Sequence, residues 1–483
     1  MKYGSAAITF TALFIVIIIL INAILSVIDS RVGLYADLTQ EQRFEISDIS
    51  SGLLDGMTDE IEIIFCRDRD RLIEDTHNAM IVTLAEKYEL EFDNIKVKFI
   101  DRARNPGEIN KFRRSTGDKF SDTDVIIHAP ATGKFRHLRR TAFFSTDSDG
   151  ILRGFNGEMR ITASVLAVTR ASEDKVVLIT GHDEAVSTPL VEVLMNAGYD
   201  SEDSLVSVNL ATSDIPENTR LVIIDNPKRD FLGYSAEKTG SVNEIAKIDK
   251  YLKAHGNLFV AVDNETPALP ELSEYLREEW GLSYTAGLVI EDTPEHTIST
   301  DGRSLIANYN NNSEDAYAYE VTRRVNTTSA RTVVSSATPI NIEAVSDKTV
   351  SPIITTSSAA RVLKDSKTVA SGVQNLMAIS TFLEYPDGMY EKLSHVILCG
   401  STDFVYTDMA LTSTANADLV YSILNIVGTE KVPIDIRAKL FSDTSINGTG
   451  MATARNMTVR ISVIPAAIVL ILGVYMFIRR RRL

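Results

Sequence analysis

Two stretches of the chain are apolar without interruption by charge. Ala6 to Ile28 has only Thr9, Thr11, Asn22 and Ser26 as polar breaks. At about 1.5 Å per residue such a run crosses a hydrocarbon core of about 30 Å, so residues 6–28 are predicted as a transmembrane helix. The other run, Ser462 to Ile478, gains length if Arg460 snorkels, which predicts a second span over 458–478. A cleaved secretory signal is the alternative for the first run and a buried core helix for the second. The length of the first run, and Arg479, Arg480, Arg481 and Arg482 behind the second, favour two anchors. The same four arginines act as topology determinants and predict a cell-membrane protein with both termini cytoplasmic and the bulk extracellular or periplasmic.

Between the runs the periodicity changes. "DLTQEQRFEISDIS" offers Ser47 as cap for a short helix reaching Leu54. "DEIEIIFC" and "NIKVKFID" alternate as strands, and Ile73, Met80, Ile81, Leu84 and Tyr88 keep helical spacing over 71–88. "TDVIIHAPATGKFRHL" reads as a hairpin turning near Thr132–Gly133, and Asn156 as the cap of a helix from Glu158 to Val168. These elements predict a small α/β domain over 36–172.

From residue 173 the pattern becomes strand then helix. "KVVLIT", "RLVIID" and "NLFVAV" are nearly continuous apolar runs, as strands covered on both faces require. "LVEVLMNAG" and "VNEIAKIDKYLKAHG" are helical patterns with Gly198 and Gly256 in the position that stops a helix, and "HVILCG" with "NADLVYSILNIVG" adds another strand and helix. The alternation predicts a doubly wound parallel α/β domain over 173–438. Residues 292–372, rich in Asn, Ser and Thr, are predicted as an irregular insertion, 439–457 as a flexible stalk, and 479–483 as a cytoplasmic basic tail.

The net charge of −16 disfavours nucleic acid as a partner. Cys66 and Cys399 are compatible with one disulfide or with two buried thiols, and no spacing resembles a zinc site.

Parallel sheets bind ligands beyond the carboxyl ends of their strands. Here those ends hold Gly181, His182 and Glu184, then Asn226 and Lys228, then Asp263, then Asp403, which together form the candidate binding edge. Turns and helix caps call for the same residue types, so a purely structural role competes with binding. His182, Asp183 and Glu184 lie too close in sequence to converge well on an ion, so no metal is predicted. The P-loop, H-E-x-x-H and G-x-S-x-G patterns are absent. Cys399 before Gly400 has the placement of an amidotransferase-type thiol elbow, but bulky Ile397 and the lack of a paired His favour a core thiol. The sequence thus predicts no catalytic residues and no cofactor.

Several stretches in order resemble the GldG-like family, auxiliary components of gliding-motility ABC transporters. They are "DLTQEQRFEIS", "GFNGEMRITASVLAVT", "VVLITGHDE", "VIIDNPKRD", "YLKAHGNLFVAVDNE", "GSTDFVYTDMALTSTANADLVYSILNIVG" and the closing "RISVIPAAIVLILGVYMFIRRRRL". Asp183 stands where relatives often carry Gly. The resemblance implies a flavodoxin- or amidotransferase-like sheet without chemistry, in a noncatalytic accessory subunit of an ABC-type export or efflux system. Its expected partners are ABC permease and ABC ATPase subunits, with an unknown substrate. A membrane-tethered hydrolase and a structural cell-surface protein are the alternatives.

Overall fold

Four strands make the first sheet: β1 (Ile61–Phe65), β2 (Ile95–Phe99), β3 (Val125–Ala129) and β4 (Lys134–Leu138). Their order is β2-β1-β3-β4, with β1 and β2 parallel and the other pairs antiparallel. The computed structural model describes residues 44–113, 119–146, 152–169, 174–199, 203–323, 325, 331–385, 391–404, 414–427, 436 and 438–441. Ser47 caps helix α1 (Asp48–Leu54), its side chain accepting the Ser50 N–H. The helical pattern over 71–88 divides into Arg69–Leu72 and α2 (Thr76–Glu91). The divide falls where the Asp75 carboxylate accepts the Asn78 N–H and starts a new helix.

Helix α3 (Gly157–Thr169) is buried on nearly every side, including Glu158, Arg160, Thr162 and Ser164. It joins the two sheets. Arg160 donates to Ala142 O on one side and to Met195 O on the other, at 3.0 and 2.8 Å.

The second sheet is built on β5 (Lys175–Thr180), β6 (Leu205–Asn209), β7 (Thr219–Asp225), β8 (Leu258–Ala261), β9 (Leu282–Tyr284), β10 (Ile340–Ile342), β11 (Lys348–Thr355), β12 (Asn375–Glu384) and β13 (Lys392–Cys399). Five strands, in the order β6-β5-β7-β8-β13, are parallel. Alternate residues explain why these runs are apolar throughout. Val176, Leu178, Leu221 and Ile223 face α4 (Thr188–Asn196) and α7 (Asn416–Ile426). Val177, Ile179, Val222 and Ile224 face α5 (Glu244–Lys253) and α6 (Pro270–Trp280). The fold is therefore α/β, with helices on both faces of a sheet containing parallel strands.

Beyond β13 the sheet turns antiparallel through β12, β10 and β9, with β11 also on β12. Residues 292–372 thus supply strands to the main sheet, whose side chains are too polar to announce them. Lys439–Leu440, expected to begin a stalk, pairs antiparallel with Leu152–Phe155. The described residues up to Leu440 form one compact unit. Both cysteines are buried and free.

The membrane placement needs correction. Spans 6–28 and 458–478 and the arginines at 479–482 lie outside the described residues, and among the described residues no helix is long and apolar enough to cross a membrane. The longest, α2, has 16 residues and rises about 24 Å, short of a hydrocarbon core of about 30 Å. The two-anchor, cell-membrane localisation, with termini inside and body outside, therefore has no support in the described fold.

Candidate functional site at the carboxyl edge of the parallel strands

Strand β5 delivers Gly181 and His182 to the edge. Gly181 has φ of +115°, and a Cβ there would sit 2.8 Å from Asn209 Nδ2. Asp183 adopts φ of +56°, a region that short polar side chains tolerate best after glycine. Its carboxylate pairs with Arg229 at 2.7 Å on the surface.

His182 turns inward. It is 4 % exposed and stacks on Phe231 at 3.8 Å between ring centres. Its Nδ1 lies 2.9 Å from Glu184 Oε1 and its Nε2 2.9 Å from Glu244 Oε2. Glu184 Oε2 also accepts the His182 N–H at 2.8 Å, and Glu244 Oε2 the Leu232 N–H at 2.8 Å. Burial alone would push the imidazole pKa down. The hydrogen bonds and charges of the two glutamates outweigh it and raise the value to about 9. Both glutamates are held below the ordinary carboxylate range despite burial, through their bonds to His182. The result is an imidazolium between two carboxylates. It fastens the β5 turn to the first turn of α5, where negative charge also suits the helix dipole. The His182 carbonyl accepts the N–H groups of Lys228 and Arg229, each at 2.9 Å, and so ties in the turn after β7.

The remaining candidates form a second group. Asp225, closing β7, is 2 % exposed and accepts the Ser187 N–H at 2.7 Å. Its pKa is pushed up to about 6, by burial first, then by the charges of Asp263 and Asp403; the Ser187 bond and Lys228 oppose the rise. Asn226 has φ of +54° and accepts a bond from Lys228 Nζ. Asp263 caps its own turn, accepting the Glu265 N–H at 2.8 Å, and its other oxygen accepts Thr402 Oγ1 at 2.6 Å. Asp403 is also raised, by burial and then by Asp263.

The candidate edge therefore splits. Asn226, Lys228, Asp263 and Asp403 gather around Asp225 at the ends of β7, β8 and β13, whereas His182 and Glu184 are consumed by each other and Glu244. Asp225, although it stands at a strand end, is not among the candidate edge residues, and Glu244 is absent from the sequence reading altogether. The signal for Asp225 was an acid ending an otherwise apolar run, "RLVIID". Glu244 carries no local signal, since its partner is far along the chain.

The chemistry open to this edge is narrow. Cys399 is wholly buried, its thiol pushed up to about 12 by burial, and its Sγ donates to Ser401 O at 3.3 Å. A protonated His182 cannot accept a proton as a general base. Among the described residues, no three His, Cys, Asp or Glu side chains are placed to hold a metal ion. What the edge can do is hold or release a proton at Asp225 and offer polar groups to a ligand.

No family model matches the chain, and no curated protein matches it. Among solved structures it is similar to the "mmIFT52 N-terminal domain", at 14 % identity over 52 % of this chain and 97 % of that one, TM-score 0.36. A ThuA-like protein from Bacteroides uniformis matches at 11 % identity over 55 % and 96 %, TM-score 0.34. A cytoplasmic protein from Salmonella typhimurium matches at 16 % over 52 % and 98 %, TM-score 0.32.

Proposed function

We propose that the chain is a noncatalytic accessory subunit of an ABC-type export or efflux system, working beside a separate permease and ATPase. Its sheet is taken as a doubly wound domain of the flavodoxin and amidotransferase kind. The order β6-β5-β7-β8-β13, with helices on both faces, supports that assignment. The ordered resemblance to GldG-like sequences supports the transporter context. The observation that carries the noncatalytic reading is the Glu184–His182–Glu244 array. It spends the edge's histidine on holding β5 to α5, while the thiol at the end of β13 lies wholly buried and is pushed up by burial.

The group around Asp225, with Asn226, Lys228, Asp263 and Asp403, serves in this reading as a receiving or sensing surface. Affinity purification of the full chain from its native cells tests the proposal. A P-loop ATPase and a permease copurify in fixed ratio, and the purified chain turns over no ester, amide or glycoside. Hydrolysis abolished by a substitution at Asp225 would overturn it.

A further inference from the structure

Strand β6 ends the second sheet on its parallel side, with β5 as its neighbour. The Val176 N–H donates to Ser204 O at 2.8 Å, and the register sets Val176 against Leu205, Leu178 against Ser207 and Thr180 against Asn209. In a parallel ladder that register commits the backbone of Val206 and Val208 to β5 and turns Leu205, Ser207 and Asn209 outward. Asn209 O accepts the N–H groups of Thr212 and Ser213 at 3.1 and 2.9 Å. The N–H groups of Leu205, Ser207 and Asn209, and the carbonyls of Leu205 and Ser207, have no hydrogen-bond partner among the described residues.

An open row of this kind is a template for another strand, and chains guard against that with charge, proline, bulges or very short edges. Other edges here follow the rule. β2 carries exposed Lys96 and Lys98, and its Val97 N–H is capped by Glu89 Oε1 at 3.1 Å. β4 carries Lys134 and Arg136, and β9 has only three residues. β6 has none of these devices: from Ser204 to Ser213 there is neither charge nor proline. On a chain of net charge −16, such a strip is where two copies approach with least repulsion.

The strip is also complementary to itself. About a twofold axis at Ser207, outward-turned residues meet outward-turned residues, Ser207 against Ser207 and Leu205 against Asn209. Val206, partly buried, and Val208, 6 % exposed, both lie on the face covered by α5 and α6. The same axis sets Val206 beside Val208 of the second copy on that face, a favourable cross-strand pair of branched side chains. Ser207 is exposed and small, so nothing bulky stands at the axis.

We propose that β6 is a dimer contact, two copies pairing it antiparallel about Ser207 so that their sheets run on as one. Each Ser207 N–H donates to Ser207 O of the second copy, and each Asn209 N–H to Leu205 O. The contact is isologous and closed, so assembly through it stops at two.

Light scattering of the full chain eluting from a sizing column tests this. One strand pair is at the small end of specific interfaces, so a Kd of about 1–10 µM is expected and the chain runs as a dimer at about 100 µM. Ser207→Lys and Ser207→Glu each set like charges across the axis and weaken the dimer at least ~10-fold. The side chain is exposed, so both variants keep the wild-type circular dichroism. Mixed in equal amounts they restore the dimer, because a twofold joint at this residue sets position 207 against itself. A monomer at about 100 µM, a dimer unchanged by Ser207→Lys, or a mixture that stays monomeric would overturn the proposal.

Discussion

Glu158 Oε2 lies 3.0 Å from Lys439 Nζ, so the first turn of α3 is bound to the strand with which the described chain closes. The other oxygen of Glu158 accepts the Ser47 N–H at 2.8 Å, the Ser47 hydroxyl at 2.5 Å and the Ser50 hydroxyl at 2.7 Å. One buried carboxylate thus gathers the segments around Ser47 and Lys439 onto α3. Burial works against the charge, but Lys439 and the serine bonds hold Glu158 below the ordinary carboxylate range.

Glu158→Gln therefore lowers stability by about 2–4 kcal/mol in urea unfolding, since the lysine and three donors lose their anion. Hydrogen exchange over 44–54 speeds up with it. Because the folded pKa is depressed, this contribution is present above about 4.5, the unfolded value, and is lost as pH falls through the folded one.

His182→Ala leaves Glu184 and Glu244 buried without their shared cation and costs about 3–5 kcal/mol. The triple change His182→Leu, Glu184→Gln and Glu244→Gln recovers much of that loss. Here the folded pKa is raised to about 9 from 6.5, so the histidine's contribution is complete below about 6.5 and disappears as pH rises through 9. A pH series of urea midpoints in wild type and triple variant reads the difference.

Asp225 has the opposite sign for an acid. Its folded pKa of about 6 exceeds the ordinary 3.8, so the ionised form is a burden above pH 6, and protonation stabilises the fold as pH falls towards 4. Asp225→Asn keeps an acceptor for the Ser187 N–H and raises stability at pH 8 by about 1–2 kcal/mol. It also flattens the pH dependence between 4 and 6, which thermal unfolding measures directly.

Burial also pushes the Cys66 thiol up to about 12, as it does Cys399. Neither thiol reacts with Ellman's reagent in the native chain, and both react once it is unfolded in guanidinium.

What could be read in the sequence was set by local rules. Continuous apolar runs gave β5, β7 and β8, because strands covered on both faces need them. Gly198 stops α4 with φ of +97°, as its place suggested. After α5 the same rule misassigned the stop. His255, not Gly256, takes the left-handed position, and Gly256 is small because Tyr251 packs on it. The strands β10 and β11 were hidden in a polar stretch, since Ile340–Ile342 is only three residues long and "KTVSPIIT" lacks clean alternation and carries a proline. At the candidate edge, sequence placed the turns after the strands but could not say which way His182 pointed. That was decided by Glu244 and Phe231, which are near it only in the folded chain.

The charge state of His182 is the most direct test of an edge built to hold rather than to react. In 15N spectra of the full chain between pH 6 and 8, both imidazole nitrogens of His182 stay protonated and its signals do not titrate. A His182 ring with one bare nitrogen at pH 7.5, free to take a proton, would contradict the account.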